Sequence, residues 1–150
     1  MMKATYKHTN IIARDWRVLA AFYQEVFGCI PVPPERNLSG EWLAKGTGVP
    51  NASFSGIHLC LPGHGEHGPT LEIYQYSENE SRPTTAANRE GIAHLAFEVD
   101  DVEQATADVL IHGGSTVGEI TSSEVEGVGL LTFIYLADPE GNIIELQSWK

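Results

Sequence analysis

The chain is poor in basic residues. Nine lysines and arginines stand against twenty aspartates and glutamates among 150 residues, which gives a formal net charge of −11 at pH 7. Because basic residues supply the attraction to phosphates, this balance argues against a nucleic-acid partner. It also disfavours a highly anionic substrate, unless the few cations are gathered at the pocket.

Cysteines and long hydrophobic runs are also scarce. Cys29 and Cys60 are the only cysteines and lack CxxC spacing, so we expect small core residues rather than a disulfide framework. No apolar run approaches the ~20 residues that span a bilayer, and residues 1–5 have no signal-peptide hydrophobic region. We therefore expect a cytoplasmic protein without a membrane partner. The hydrophobic share of 42% in a chain of this length predicts one domain, residues 1–150, with a sizeable core.

The first half of the chain reads as strand, helix and further strands. Asp15 is a candidate N-cap, apolar residues recur at three- and four-residue spacing from Trp16 to Phe27, and Gly28 is a typical helix terminator. The predicted strands are residues 6–12, 29–32, 42–45, 55–61 and 70–76. The prolines after Cys29 predict that its strand lies at an edge or ends early. Residues 62–69 read as a loop.

The same pattern then starts again. Asp101 is a candidate N-cap, and a helix that begins at Val102 should end at Gly113-Gly114. The predicted strands of this half are residues 92–99, 115–120, 130–136 and 143–149, and residues 122–127 read as a loop. We therefore predict an α+β fold built from two tandem βαβββ modules, about residues 5–77 and 91–150, joined by a linker of about residues 78–90.

A comparison of the halves supports the repeat. A shift of 86 residues places His8 on His94, Asp15 on Asp101 and Gly28 on Gly114, and a shift of 73 places Glu72 on Glu145. Chance aligns two histidines more easily than a histidine, a capping aspartate, a terminating glycine and a strand-centred glutamate in the same order. If a pseudo-twofold axis relates the modules, equivalent positions meet around it.

The last predicted strand carries a glutamate, Glu145, that needs a polar partner. Asp138-Pro139-Glu140-Gly141 has turn chemistry at every position, so a strand should follow it. Side chains of a strand alternate, which places Glu145 on the face opposite to Ile144 and Leu146. A carboxylate at the centre of such a strand needs water or a partner.

Two histidines and two glutamates, His8, Glu72, His94 and Glu145, form a mixed nitrogen and oxygen set. This set suits a divalent ion such as Zn, Ni, Co, Mn or Fe(II). Taken singly, each of these residues reads more simply as a structural histidine or a solvated carboxylate, and only the match across the repeat favours a metal site. The remaining strand histidine, His58, could line the same cavity but has no histidine counterpart. His64 and His67 lie in a Gly/Pro-rich loop, where histidines are usually solvated.

Four stretches of the chain are typical of one protein family: the His8 strand, the helix end Phe22-Tyr23…Val26-Phe27-Gly28, and the segments Gly91–Phe97 and Asp138–Leu146. In these stretches the chain resembles the vicinal oxygen chelate superfamily, which contains glyoxalase I, extradiol dioxygenases and bleomycin-resistance proteins. The resemblance implies that the two βαβββ modules form an incomplete barrel around a metal ion. It also implies a small-molecule substrate and a homodimer.

Within the superfamily, a His/Glu/His/Glu pattern matches glyoxalase I. That resemblance implies His8, Glu72, His94 and Glu145 as metal ligands of a lyase or isomerase that removes a proton next to a carbonyl through a metal-stabilised enediolate. Glu145 would be the main base and Glu72 would assist or return the proton. The substrate class could be a thiol conjugate of a 2-oxoaldehyde, which needs cations for its carboxylates. The available cations are Arg14, Arg17, Arg36, Lys45, Arg82 and Arg89, and the sequence assigns none of them.

Two alternatives stay open at this point. An Fe(II) extradiol-type dioxygenase resembles this chain only at the positions of His8, His94 and Glu145, so Glu72 argues against it. A non-catalytic module that binds a small molecule such as an antibiotic generally lacks the ligands that this chain has.

Overall fold

The computed structural model describes all 150 residues, which divide into two compact units, Met1–Ser81 and Arg82–Lys150. The boundary between the units lies inside the predicted linker of residues 78–90. The structure contains no helix with the length and apolar character that crossing a membrane requires.

The first unit contains a four-stranded sheet and two helices. Its elements are β1 (His8–Ile12), α1 (Trp16–Phe27), β2 (Ile30–Ser39), α2 (Glu41–Thr47), β3 (Ser53–Cys60) and β4 (Thr70–Tyr76). The strand order is β1-β4-β3-β2, with β1 parallel to β4 and the other pairs antiparallel. Helix α1 packs against β3 and β4. The core of this unit includes Leu59, Leu71 and Ile73, which are fully buried.

Helix α1 has the ends that the sequence predicts. The Asp15 carboxylate accepts hydrogen bonds from the backbone N–H groups of Arg17 and Val18, at 3.1 and 3.2 Å. These bonds satisfy two of the amides that a helix start leaves without an intrahelical partner. At the other end Gly28 adopts a left-handed conformation, φ 67°, and its N–H donates to the Gln24 carbonyl.

In the first unit one prediction is confirmed in part, and one, the strand at residues 42–45, is wrong. Strand β2 lies at the sheet edge, as its prolines predict, but it continues past residue 32 to Ser39; missing N–H donors are tolerated at the edge, and its pairing with β3 is interrupted between Val32 and Arg36. The segment predicted as a strand at residues 42–45 belongs to helix α2. Its Leu43 is buried in a cluster with Phe54, so tertiary packing overrides the weak local signal.

The second unit contains a five-stranded sheet and one helix. Its elements are β5 (Leu95–Glu98), α3 (Val102–Ile111), β6 (Ser115–Thr116), β7 (Thr121–Val125), β8 (Gly129–Ala137) and β9 (Ile143–Trp149). The order is β5-β9-β8-β6, and β7 also pairs with β8. Asp101 caps α3 by accepting from the Gln104 N–H at 3.0 Å, which confirms the predicted N-cap.

Three boundaries differ in this unit. Strand β5 begins at Leu95, so His94 lies directly before the strand rather than on it. Only Ser115 and Thr116 form the strand predicted for residues 115–120. The loop predicted for residues 122–127 is largely strand β7, whose polar residues are mostly exposed and whose backbone pairs with β8. This strand has no buried face, so its sequence does not show the hydrophobic alternation from which a strand is predicted.

Both units follow the predicted βαβββ plan, and the fold is α+β. In the first unit the short helix α2 is inserted between β2 and β3. In the second unit the strand after the helix is split into β6 and β7, which both pair with β8.

Candidate metal-binding and catalytic site

The histidine and the glutamate occupy the same places in both sheets. In the first unit β1 runs parallel to β4, with Asn10 opposite Glu72, and in the second β5 runs parallel to β9, with Ala96 opposite Glu145. His8 precedes Asn10 by two residues, and His94 precedes Ala96 by two residues. Because strand side chains alternate, this register brings each histidine toward the glutamate of its own unit.

The first unit surrounds its glutamate with polar partners. The His8 Nδ1 atom lies 3.1 Å from Glu72 Oε2, and the Asn10 amide donates to Glu72 Oε1 at 3.4 Å. Glu72 is 6% exposed, whereas the His8 side chain remains about half exposed at 47%. The carboxylate is therefore fixed inside the sheet face, and the imidazole stays accessible.

His58 and Tyr74 complete these surroundings. His58 lies opposite Glu72 on β3, and its Nε2 atom is 3.2 Å from Glu72 Oε2 and 2.6 Å from the Tyr74 hydroxyl. Burial lowers the pKa of His58; the Glu72 charge opposes that shift and the Arg36 charge adds to it. Burial, reinforced by Glu72, raises the pKa of Tyr74 to about 12. Both shifts favour the neutral imidazole and the neutral phenol near pH 7.

Gly56 makes room for the Tyr74 ring. It lies opposite Tyr74, and a Cβ atom at position 56 would lie 2.0 Å from the Ile73 carbonyl oxygen and 2.6 Å from Tyr74 Cδ1. The Tyr74 ring stacks on Phe54, with centroids 4.3 Å apart and planes at 17°. Only glycine permits this approach of ring to strand, and the ring in turn brings the hydroxyl to His58.

The second unit repeats the pair but not its surroundings. His94 Nε2 lies 2.9 Å from Glu145 Oε2. Tyr135 lies opposite Glu145 on β8, where the first unit has His58, and its ring centroid is 4.8 Å from that of His94. Phe133 takes the place of Gly56. Glu145 therefore has one close polar side-chain contact, against several for Glu72.

The turn before β9 positions Glu145. The buried Asp138 carboxylate accepts from the N–H groups of Glu140 and Asn142, at 2.9 and 3.0 Å, and from the Asn142 amide at 2.7 Å. The Arg82 guanidinium donates to the Asn142 side-chain oxygen at 2.7 Å and to the Glu140 carbonyl at 2.6 Å. The predicted turn is confirmed, and its hydrogen bonds hold the start of the strand that carries Glu145.

Each predicted site residue thus pairs within its own unit, His8 with Glu72 and His94 with Glu145. The loop residues His64 and His67 are exposed. No group of three or more His, Cys, Asp or Glu side chains has the arrangement of a metal site in the structure. Imidazole and carboxylate atoms side by side are nevertheless the donor types that suit the divalent ions expected from the sequence.

Of the four side chains around the glutamates, the sequence analysis names His58 as a residue that could line the same cavity, but it misses Asn10, Tyr135 and the contact of His58 with Tyr74. Asn10 follows His8 by two residues, so strand alternation could have found it. The other three depend on which residues of separate strands lie opposite one another, and that pairing is not visible along the chain.

The sequence matches the glyoxalase-like domain family over residues 8–147. It is 26% identical over 145 residues to the uncharacterized protein YaeR of Escherichia coli, covering 94% of this chain and 93% of that protein.

Solved structures share the fold. A glyoxalase family protein from Bacillus cereus superposes with a TM-score of 0.75 at 18% identity, covering 99% of this chain and 95% of that one. A glyoxalase/bleomycin resistance protein/dioxygenase family enzyme from Burkholderia phytofirmans gives a TM-score of 0.59 at 18% identity, covering 98% and 100%. The repeated βαβββ units agree with the family match, and the chain belongs to the glyoxalase-like domain family, within the vicinal oxygen chelate superfamily.

Proposed function

We propose that this protein is a divalent-metal-dependent lyase or isomerase of the glyoxalase I kind, which removes a proton from a carbon next to a carbonyl. In this proposal His8, Glu72, His94 and Glu145 are the metal ligands, and Glu145 and Glu72 are the catalytic carboxylates. The metal ion is Zn, Ni, Co, Mn or Fe(II), and a thiol conjugate of a 2-oxoaldehyde is the substrate to test first.

The observation that carries the proposal is the duplicated pair of histidine and glutamate. Two imidazole–carboxylate contacts, 3.1 Å for His8–Glu72 and 2.9 Å for His94–Glu145, occur at the same register of the two sheets. A buried carboxylate is costly unless it is paired, so a pair retained in both halves of a repeat supports a shared role. Imidazole and carboxylate are also the ligands expected for these ions.

The surroundings of the two glutamates support different roles in proton transfer. Glu145 contacts His94 but lacks the further hydrogen bonds that hold Glu72, so it can more easily turn toward a substrate carbon and accept its proton. Glu72, fixed by its partners, is suited to holding its position and to returning a proton. The bound metal ion would polarise the substrate oxygen and so lower the pKa of the neighbouring C–H group.

Metal affinity and turnover test the proposal together. Co²⁺ binding is measured by calorimetry for the wild type, Glu72→Gln and Glu145→Gln, with Glu98→Gln as the control because Glu98 is an exposed glutamate of β5. We expect Glu72→Gln and Glu145→Gln to lose more than the roughly 10- to 100-fold in affinity that follows the loss of an outer partner of a ligand. The affinity of Glu98→Gln should equal that of the wild type.

Turnover is followed with the hemithioacetal of methylglyoxal and glutathione. Glu145→Gln should lose more activity than Glu72→Gln when both are assayed at saturating metal. Metal affinity in Glu72→Gln equal to that in Glu98→Gln would contradict the four-ligand set. Ring cleavage of a catechol with oxygen uptake after addition of Fe(II) would contradict the lyase and favour a dioxygenase.

A further inference from the structure

One face of the first unit's sheet carries the site residues of that unit. Residues directly opposite each other on neighbouring strands point to the same face. The pairs Asn10–Glu72 and Glu72–His58 place these side chains together. Tyr74 lies two residues after Glu72 on β4, and Gly56 lies opposite it, two residues before His58 on β3. On the edge strand β2, Arg36 lies opposite Gly56. Arg36 therefore shares the face that presents Glu72 and His58.

Of the cations that the sequence left unassigned, Arg17 and Lys45 are held by carboxylates, whereas Arg36, like Arg82 and Arg89, hydrogen-bonds to neutral oxygen atoms. Arg17 pairs with Glu35, both of its nitrogen contacts being 2.9 Å, and Lys45 pairs with Glu41 at 3.0 Å. The hydrogen bonds of Arg82 hold the Glu140–Asn142 turn of the second unit.

The hydrogen bond that Arg36 makes is to the Pro34 carbonyl, which leaves most of its guanidinium donors available. Its side chain is only half-buried, so a ligand can reach it.

The spacing on this face suits a small bifunctional ligand. Arg36 on β2 and Tyr74 on β4 are separated by β3, which corresponds to about 9.5 Å between strands. Gly56, which lies between them, carries no side chain, and the Tyr74 ring lies over it, 2.6 Å from the place of a Cβ atom. One end of a ligand can meet Glu72 and His8 while its other end reaches Arg36.

We infer that Arg36 binds the anionic end, a carboxylate or a phosphate, of the substrate whose reacting carbon lies at Glu72 and His8. This inference rests on the proposed function for the reacting end, and it adds the substrate class: small oxygenated compounds that carry one anionic group. A guanidinium donates two parallel hydrogen bonds to such a group, which gives it both charge and orientation.

Anion binding tests this assignment without turnover. Calorimetry measures the affinities of pyruvate, inorganic phosphate and neutral hydroxyacetone for metal-free and Co²⁺-loaded protein. The variants are Arg36→Gln, Arg36→Lys and the control Arg89→Gln, since Arg89 also donates to a backbone carbonyl, that of Thr84. Far-ultraviolet circular dichroism checks that each variant is folded.

We expect Arg36→Gln to weaken binding of the preferred anion about tenfold or more, as loss of a charge-assisted hydrogen bond predicts. The anion affinity of Arg36→Lys should be intermediate, because lysine keeps the positive charge but cannot donate two parallel hydrogen bonds. The anion affinity of Arg89→Gln should equal that of the wild type. The affinity for hydroxyacetone should not differ between Arg36→Gln and the wild type. A preference for pyruvate over phosphate assigns a carboxylate, and the reverse assigns a phosphate ester.

Two results would overturn the inference: equal anion affinities in Arg36→Gln and the wild type, or no saturable anion binding by the wild type in either form. If Co²⁺ fails to bind but Arg36→Gln still weakens anion binding by the metal-free protein, the proposed function fails and the role of Arg36 stands.

Discussion

The two units hold equivalent glutamates in different ways. Glu72 contacts His8, Asn10 and His58, and it lies on a strand whose Tyr74 hydroxyl contacts His58. Glu145 has its close contact with His94 alone, and an aromatic residue, Tyr135, stands in the place of His58. Both units contain the imidazole–carboxylate pair, but the residues around the pair differ between them. One half of a repeat can therefore hold a carboxylate with several polar contacts while the other holds the equivalent carboxylate with one.

The largest expected difference between the units is at Gly56. Gly56→Ala should lower the free energy of unfolding by about 3 kcal/mol, because the new Cβ would lie 2.0 Å from a backbone oxygen and 2.6 Å from the Tyr74 ring. Gly118→Ala is the control, since its Cβ would meet nothing closer than 3.9 Å, and it should change stability by less than ~0.5 kcal/mol. Urea unfolding measures both. Equal free energies of unfolding for Gly56→Ala and Gly118→Ala would mean that the first unit does not need a glycine at the position where the second unit has Phe133.

The next effect concerns the connection to each glutamate strand. Asp138→Ala should cost about 2 kcal/mol, because it removes the acceptor of two backbone N–H groups and the Asn142 amide at a site that is only 2% exposed. In the first unit the corresponding connection is the loop of residues 61–69, and its exposed Glu66 provides the control. Thermal unfolding of Asp138→Ala and Glu66→Ala compares them; equal melting temperatures would show that the turn is not stabilised by its aspartate.

The hydroxyl of Tyr74 is expected to contribute less. Tyr74→Phe removes the partner of His58 Nε2 and should lower the free energy of unfolding by about 1.5 kcal/mol. Tyr135→Phe is the matched change in the second unit, where the ring packs beside His94, and it should cost less than ~0.5 kcal/mol. The midpoints of urea unfolding measure the loss of stability in the two variants. A larger loss for Tyr135→Phe would reverse the comparison between the units.

The smallest difference is expected at the helix starts. Asp15 accepts from two backbone N–H groups and Asp101 accepts from one, that of Gln104. Asp15→Ala should therefore cost about 1 kcal/mol and Asp101→Ala about 0.5 kcal/mol. Replacement of each by Asn, another good N-cap, should restore most of the stability in chemical unfolding. If Asn fails to rescue, the loss comes from something other than capping.

Residues whose signals are local were predicted well from the sequence. The cap at Asp15, the helix to Phe27 and the terminating Gly28 follow from capping chemistry and helical spacing. Strands β4 and β9 were also predicted with their observed bounds, because each combines alternation with a clear turn before it. The repeat linked these elements and pointed to the two histidines and two glutamates as candidate site residues.

Elements whose conformation depends on distant partners were predicted poorly. Helix α2 forms because Leu43 packs against Phe54, and β7 exists because β8 offers a backbone to pair with. The extension of β2 past its prolines likewise depends on its edge position. In each case the deciding interaction joins residues that local propensity does not connect.

The βαβββ repeat, the cap and end of the first helix, and the candidate residues His8, Glu72, His94 and Glu145 can all be recognised along the chain. The meeting of His58 and Tyr74 at Glu72, and the position of Arg36 on the same face, follow from the folded sheet. The difference between the two groups comes from strand register. Alternation along a chain specifies which side chains share a face of one strand, but pairing between strands specifies which of them touch.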